Sequence, residues 1–225
     1  MRIQKIVAAG LFFAAIASGT ASAGVISITD SPTGRALFGG NDIVDWGVLG
    51  GNFTVVSNPF NISSTGGIGL TVSQSSGSFQ RRDLSTGWGG NFTDGSTLLW
   101  TGGDDAHPMS LVFNSLIRGI GFQINPNFSE TTTHIEVFGA GNSLFGAFDL
   151  TTNDRSQSSA DFIGFTSDLV DIARITISQG AHSDFAINQL SLITVGTQQV
   201  PEPSALALLG LGLLGLVVSR KSKAS

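Results

Sequence analysis

The residues able to do chemistry are few. The chain of 225 residues carries three histidines, His107, His134 and His182, and no cysteine. Without cysteine there is no disulfide framework, no thiolate zinc or iron–sulfur site and no thiol nucleophile. None of the histidines stands in an H-E-x-x-H pattern that would hold zinc on one element. His134 and Glu136 share a face of any strand that contains both, but two ligands make only half a zinc site. Asp104, Asp105, Glu130, Glu136, Asp161, Asp168, Asp171 and Asp184 include enough carboxylates for a glycosidase pair, and sequence selects no pair among them. No G-x-S-x-G elbow marks a nucleophilic serine. The expectation is a protein with no catalytic residues, not an enzyme. Calcium needs about six to eight oxygens. Its candidates are Asp104 and Asp105, directly after Gly102-Gly103, and no other cofactor is expected. Glycan-binding candidates are Trp88 and Asn91, in Ser85-Thr86-Gly87-Trp88-Gly89-Gly90-Asn91. A flat indole suits a sugar ring and an amide suits its hydroxyls. A Trp in such a loop equally suits a plug folded over one end of the domain, and both readings stay open. Trp46 and Trp100 read as core.

These residues need a scaffold, and the composition bounds it. The chain is 41% hydrophobic and 12% charged, with a net charge of -5. That apolar content excludes a wholly disordered chain. Between Gly24 and Val200 there are six basic and fifteen acidic residues, a net of −9, and no lysine. Such a surface argues against nucleic acid as a partner, and Arg81-Arg82 is too short to be a basic patch. Gly-Gly pairs begin at Gly39, Gly50, Gly66, Gly89 and Gly102, with Asn, Asp, Ser and Thr between apolar runs. This is the punctuation of short strands joined by turns. Val44, Trp46 and Val48 alternate, as do Ile135 and Val137, Ile175 and Ile177, and Phe185 and Ile187 with Leu190 and Leu192 in phase. Period-two alternation predicts a sheet with one dry face. Leu111-Val112-Phe113 and Ile120 to Ile124 are continuous and predict central strands. The fold class is all-β, an antiparallel two-sheet sandwich resembling a jelly roll, with a parallel β-helix as the second choice. About ten to twelve strands fit the length.

The termini are addresses. Met1-Arg2-Ile3-Gln4-Lys5, an apolar run from Ile6 to Ile16, and Ala21-Ser22-Ala23 before Gly24 form a secretory signal peptide over 1–23, with Ala21, Ala23 and Gly24 at the cleavage site. Signal peptidase is the implied partner. The remainder divides into an extracellular domain over 24–199 and a C-terminal signal over 200–225. That signal contains Val200-Pro201-Glu202-Pro203, an apolar helix from Leu206 to Val218, and Arg220, Lys221 and Lys223. Such a stretch is short for a bilayer span of about 20 residues. The basic end stays cytoplasmic and leaves the domain outside.

This tail resembles the PEP-CTERM sorting signal of exported proteins in Gram-negative, exopolysaccharide-making bacteria. The resemblance implies that an exosortase reads Val200, Pro201, Glu202 and Pro203. It also implies a precursor tethered transiently in the inner membrane, then release to the cell surface or exterior. Phe113 to Phe122, His134 to Phe138, Gly146 to Leu150, Phe162 to Thr166, Ile172 to Ser178 and Asp184 to Leu190 resemble the β-sandwich domain common among such proteins. Asn188 stands where that likeness leads one to expect Asp. The functional expectation is a surface or matrix protein, structural or carbohydrate-associating, with exopolysaccharide as partner. The alternatives are an extracellular carbohydrate-active hydrolase on the same scaffold and a plain tail-anchored envelope protein.

Overall fold

The computed structural model describes residues 26–29 (backbone only), 38–90, 92, 95–103, 108–127, 129–153, 160–180 and 184–195. The expected signal helix, the C-terminal apolar helix and both processing sites lie outside these residues. Among the described residues no helix is long and apolar enough to cross a membrane.

Fifteen strands are described, more than the sequence predicts, because several Gly-rich stretches hold two- to four-residue strands. They are β1 (Ile26–Thr29), β2 (Asp42–Val44), β3 (Val55–Val56), β4 (Phe60–Ser63), β5 (Gly69–Ser73), β6 (Phe79–Asp83), β7 (Thr97–Trp100), β8 (Met109–Ile117), β9 (Gly119–Pro126), β10 (Thr131–Gly139), β11 (Leu144–Thr152), β12 (Asp161–Thr166), β13 (Ile172–Gln179), β14 (Phe185–Asn188) and β15 (Leu190–Ile193). One sheet of nine strands runs β1-β12-β9-β14-β7-β6-β3, with β15 joining β9 to β2. The second, of six strands, runs β11-β10-β13-β8-β5-β4. Every strand pairing is antiparallel, which supports the sandwich and overturns the β-helix alternative.

The core lies between the sheets. Leu111, Phe113, Ile135, Val137, Ile175 and Ile177 come from the six-stranded sheet, and Ile120, Phe122, Ile124, Ile163, Phe165 and Ile187 from the other. Each such side chain contributes about 1.5–3 kcal/mol when fully buried. Alternation holds where it was read in β10, where Ile135 and Val137 point inward and His134 and Glu136 outward. One expectation needs correction. Val48 does not share a face with Val44 and Trp46: it is 72% exposed, because the chain turns into a 3-10 helix over Trp46–Leu49. Asp45 causes that turn by accepting a hydrogen bond from the Gly47 amide (2.8 Å), an N-cap. β8 is central in its sheet, as the Leu111-Val112-Phe113 run predicts, with Val112 turned to solvent at 39% exposure.

β9 is central, as its continuous apolar run predicts, and is buried along its whole length. A strand buried on both faces needs a second cover. One part is a small cluster of Trp88, Phe92, Leu98, Ala160 and Ala186. Another is the Phe38 ring, packed edge-on to Phe162 at 5.9 Å and lying where Cβ atoms of Gly121 and Gly164 would stand.

Candidate functional site

The loop between β6 and β7 carries the glycan candidates. Asn91 lies outside the described residues. Trp88 is an anchor rather than an open platform: its side chain is 3% exposed, packed 6.4 Å from the Trp100 ring. Its indole N–H donates to Asn125 Oδ1 (3.0 Å). Of the two readings open in sequence, the plug is the one found. The reason is the bare strip of Leu98 and Ala186 on the outer face, which requires an apolar lid. Gly90 permits the fit, because a Cβ there would sit 2.3 Å from Asn125 Oδ1 and 2.7 Å from Trp88 Nε1.

With Trp88 inside, the same loop presents its polar side outward. Asp83, Leu84, Ser85, Thr86, Gly95 and Ser96 line an open depression of about 440 Å³. Arg81, buried beneath, forms an ion pair with Asp83. Asn52 ties in the neighbouring loop: its Oδ1 accepts from the Asp83 amide (3.0 Å) and its Nδ2 donates to Thr86 Oγ1 (3.2 Å). Asp45 holds the start of β7, accepting from Thr97 Oγ1 at 2.5 Å and Gln189 Nε2 at 3.2 Å. Burial pushes the Asp45 carboxyl up. The bonds from Thr97, Gly47 and Gln189, with the Arg81 charge, outweigh that and hold it below the usual carboxylate range.

Phe53, next to Asn52, was not among the sequence candidates. It is 51% exposed and adopts φ 68°, left-handed backbone that bulky residues avoid. Its amide donates to the Arg81 carbonyl (2.9 Å). The Arg82 guanidinium lies 4.5 Å from the Phe53 ring centre and 4.4 Å from that of Trp100, donating to the Gly87 carbonyl at 3.1 Å. The ring is thus backed by a cation and turned outward. Ser85, in the depression, is also left-handed at φ 73°. Among the described residues only Asn142 joins these two as a positive-φ non-glycine, and Asn tolerates it. Strain of this kind collects at binding sites, where surrounding contacts hold it.

The remaining candidates are dispersed. His134 Nδ1 is 2.6 Å from Asp149 Oδ1 on the outer face of the six-stranded sheet, and Glu136 Oε2 accepts from Thr176 Oγ1 at 3.0 Å. Asp161 binds the Asn153 amide (2.7 Å). Asp184 is buried under Trp100, whose indole N–H donates to it at 2.5 Å, and Asn127 Nδ2 reaches it at 3.2 Å. Among the described residues no three His, Asp or Glu side chains gather into a metal site. Asp104 and Asp105 lie outside the described residues. Asn188 is fully buried and paired with Gln123: its Oδ1 accepts from the Gln123 amide (2.7 Å), and its Nδ2 donates to Gln123 Oε1 (3.0 Å). Gln123 Nε2 is used on the Ala160 carbonyl (3.1 Å), so an aspartate at 188 would set acceptor against acceptor. Trp46 and Trp100 are core or near it, and Trp46 Nε1 donates to the Asn188 carbonyl (2.8 Å).

Comparison with known proteins places the tail. Residues 199–221 match the family model of the PEP-CTERM protein-sorting motif. No curated protein matches the chain. Among solved structures, a DUF4465 family protein from Bacteroides caccae ATCC 43185 aligns over 68% of this chain and 99% of its own, at 8% identity and a TM-score of 0.41. A family 29 carbohydrate-binding module from Piromyces equi aligns over 65% of this chain and 94% of its own, at 18% identity and a TM-score of 0.32.

Proposed function

We propose that this chain, an exported protein bearing a PEP-CTERM sorting motif, is a non-enzymatic, carbohydrate-associating surface protein. Its exosortase-processed form would reside at the cell surface or in the exopolysaccharide layer, reached through an inner-membrane precursor. The observation that supports the carbohydrate reading is Phe53. A half-exposed ring held at φ 68° follows directly on Asn52, whose side-chain amide bonds Asp83 and Thr86 in the lining of a polar depression of about 440 Å³. Sugar rings offer a C–H face for an aromatic and hydroxyls for hydrogen bonds. Phe53 would take the C–H face. Ser85, Thr86 and Ser96 would exchange hydrogen bonds with hydroxyls. The Asp83 charge is already matched by Arg81, so a neutral glycan fits better than a polyanion.

The test is retention of the full-length chain, purified in mild detergent, on the polysaccharide of its producing strain. Phe53→Ala should lose about tenfold in affinity, the loss expected when a ring's face contact and its share of buried apolar area, together about 1.4 kcal/mol, are removed. It should unfold within about 4 °C of the parent, the loss of the Arg82 contact being worth about 0.5–1 kcal/mol. Unchanged retention would remove the assignment.

A further inference from the structure

β11 is the only long free edge among the described strands. The other edge strands, β1, β2, β3 and β4, have two to four residues, whereas β11 has nine. Among the described strands it pairs with β10 alone. Its sequence, Leu-Phe-Gly-Ala-Phe-Asp-Leu-Thr-Thr, holds one charge, no proline and no lysine. Long apolar edges without such blockers are templates for another strand. The core also ends unfinished there. Phe148 and Leu150 pack against it yet stay only partly buried, and the Phe148 ring lies 5.0 Å from Phe165. The single charge, Asp149, is engaged by His134 of its own chain.

We propose that a second copy of this chain pairs antiparallel with β11 along Gly146–Leu150, joining two six-stranded sheets into one. The segment is self-complementary, and antiparallel pairing of an edge with itself closes as a two-fold dimer. Centred on Phe148, the pairing sets Phe148 against Phe148 of the second copy and Gly146 against Leu150. Ala147 then faces Asp149. Aromatic pairs and large-against-small pairs favour this register. Centring on Asp149 would oppose two like charges. Centring on Ala147 would run into the register slip between Leu144 and Gly146.

The register yields a signed test. Ala147 is exposed and stands opposite Glu136 of β10, so each substitution at 147 is compared with its own monomer's thermal unfolding, which separates the contact within the chain from the one across the dimer axis. In sedimentation of the full-length chain at low salt, Ala147→Asp should weaken the dimer about fivefold by placing two like pairs across the axis. Ala147→Lys should instead tighten it against Asp149. The chain has no cysteine, so one introduced thiol reports one position. Phe148→Cys should form a disulfide-linked dimer under mild oxidation, while Thr151→Cys, facing Phe145, should link at least about tenfold less, since bridged Cα atoms must lie within about 7 Å. A monomer at all concentrations, equal effects of Asp and Lys at 147, or equal linking at 148 and 151 would each overturn the proposal. Equal linking would point to association through the tail instead.

Discussion

Replacing Trp88 should unfold the protein before it touches ligand binding. Trp88 is 3% exposed, rests on Trp100 and lids Leu98 and Ala186, and its N–H fills Asn125 Oδ1. Trp→Ala in a core costs about 3–5 kcal/mol. This cluster is a thin outer layer that can partly collapse, which puts Trp88→Ala near the lower end, about 3 kcal/mol. For a domain of this size each kcal/mol shifts Tm by about 2–4 °C, so the expected fall is about 6–12 °C. Trp88→Phe keeps most of the ring but leaves a buried acceptor on Asn125, about 1–3 kcal/mol. Gly90→Ala should act the same way from the other side, wedging the Trp88–Asn125 bond apart. The assay is thermal unfolding by circular dichroism, with polysaccharide retention measured well below each variant's Tm. All three variants should lower Tm and keep retention. If Trp88→Ala holds Tm within about 2 °C and abolishes retention, the indole is a sugar contact and the anchor reasoning fails.

Asp42 offers a pH-dependent test. It is buried; burial raises its pKa, but bonds from Ser64, Thr65 and the Gly66 and Ile43 amides bring it below the usual range. A carboxyl whose folded pKa is depressed stabilises above its unfolded value, about 3.9, and loses that contribution as pH falls through the folded value. Asp42→Asn should therefore lower stability by about 1–3 kcal/mol at pH 7 and by less under acid, where the parent carboxyl is protonated too. A deficit equally large at pH 7 and in acid below the folded pKa would contradict this account. For the termini, mass spectrometry of protein exported by an exosortase-bearing host should show loss of residues 1–23 and of the tail near Pro203. An intact C-terminus would sink the processing prediction.

The sandwich was legible because burial writes period two directly into β10 and β13, where Ile135, Val137, Ile175 and Ile177 face the core. β9 was legible as central because a strand covered on both faces has no polar phase to alternate with. Where alternation misled, the cause is local. Val48 alternates in sequence with Val44 and Trp46, but Asp45 caps a helical turn between them, and a local side-chain bond overrides the period. Val112 sits in an apolar triplet, yet a strand with one wet face turns its middle residue outward whatever its type.

Why the sequence singles out Trp88 and not Phe53 as the exposed aromatic is visible in one pentapeptide. Gly-Gly-Asn-Phe-Thr occurs twice, at residues 50–54 and 89–93. The two phenylalanines have opposite fates: Phe53 is 51% exposed and Phe92 is 3% exposed. Local sequence cannot separate them, because the five residues are identical. What differs is the floor beneath each loop. In the second copy, Phe92 follows Trp88 and packs with it over Leu98 and Ala186, an apolar strip that draws aromatics inward. The first sits at the short edge strand β3 above Arg82, whose guanidinium is already stacked on Trp100 and offers Phe53 only a cation to lie on. A cation–π contact of about 0.5–1 kcal/mol at an exposed site orients a ring without burying it. The aromatic left available for a ligand is therefore the one whose floor is charged. Reversing that floor is the sharpest check: Arg82→Leu should draw the Phe53 ring down and quench its access to a glycan, though neither residue 53 nor the depression has changed.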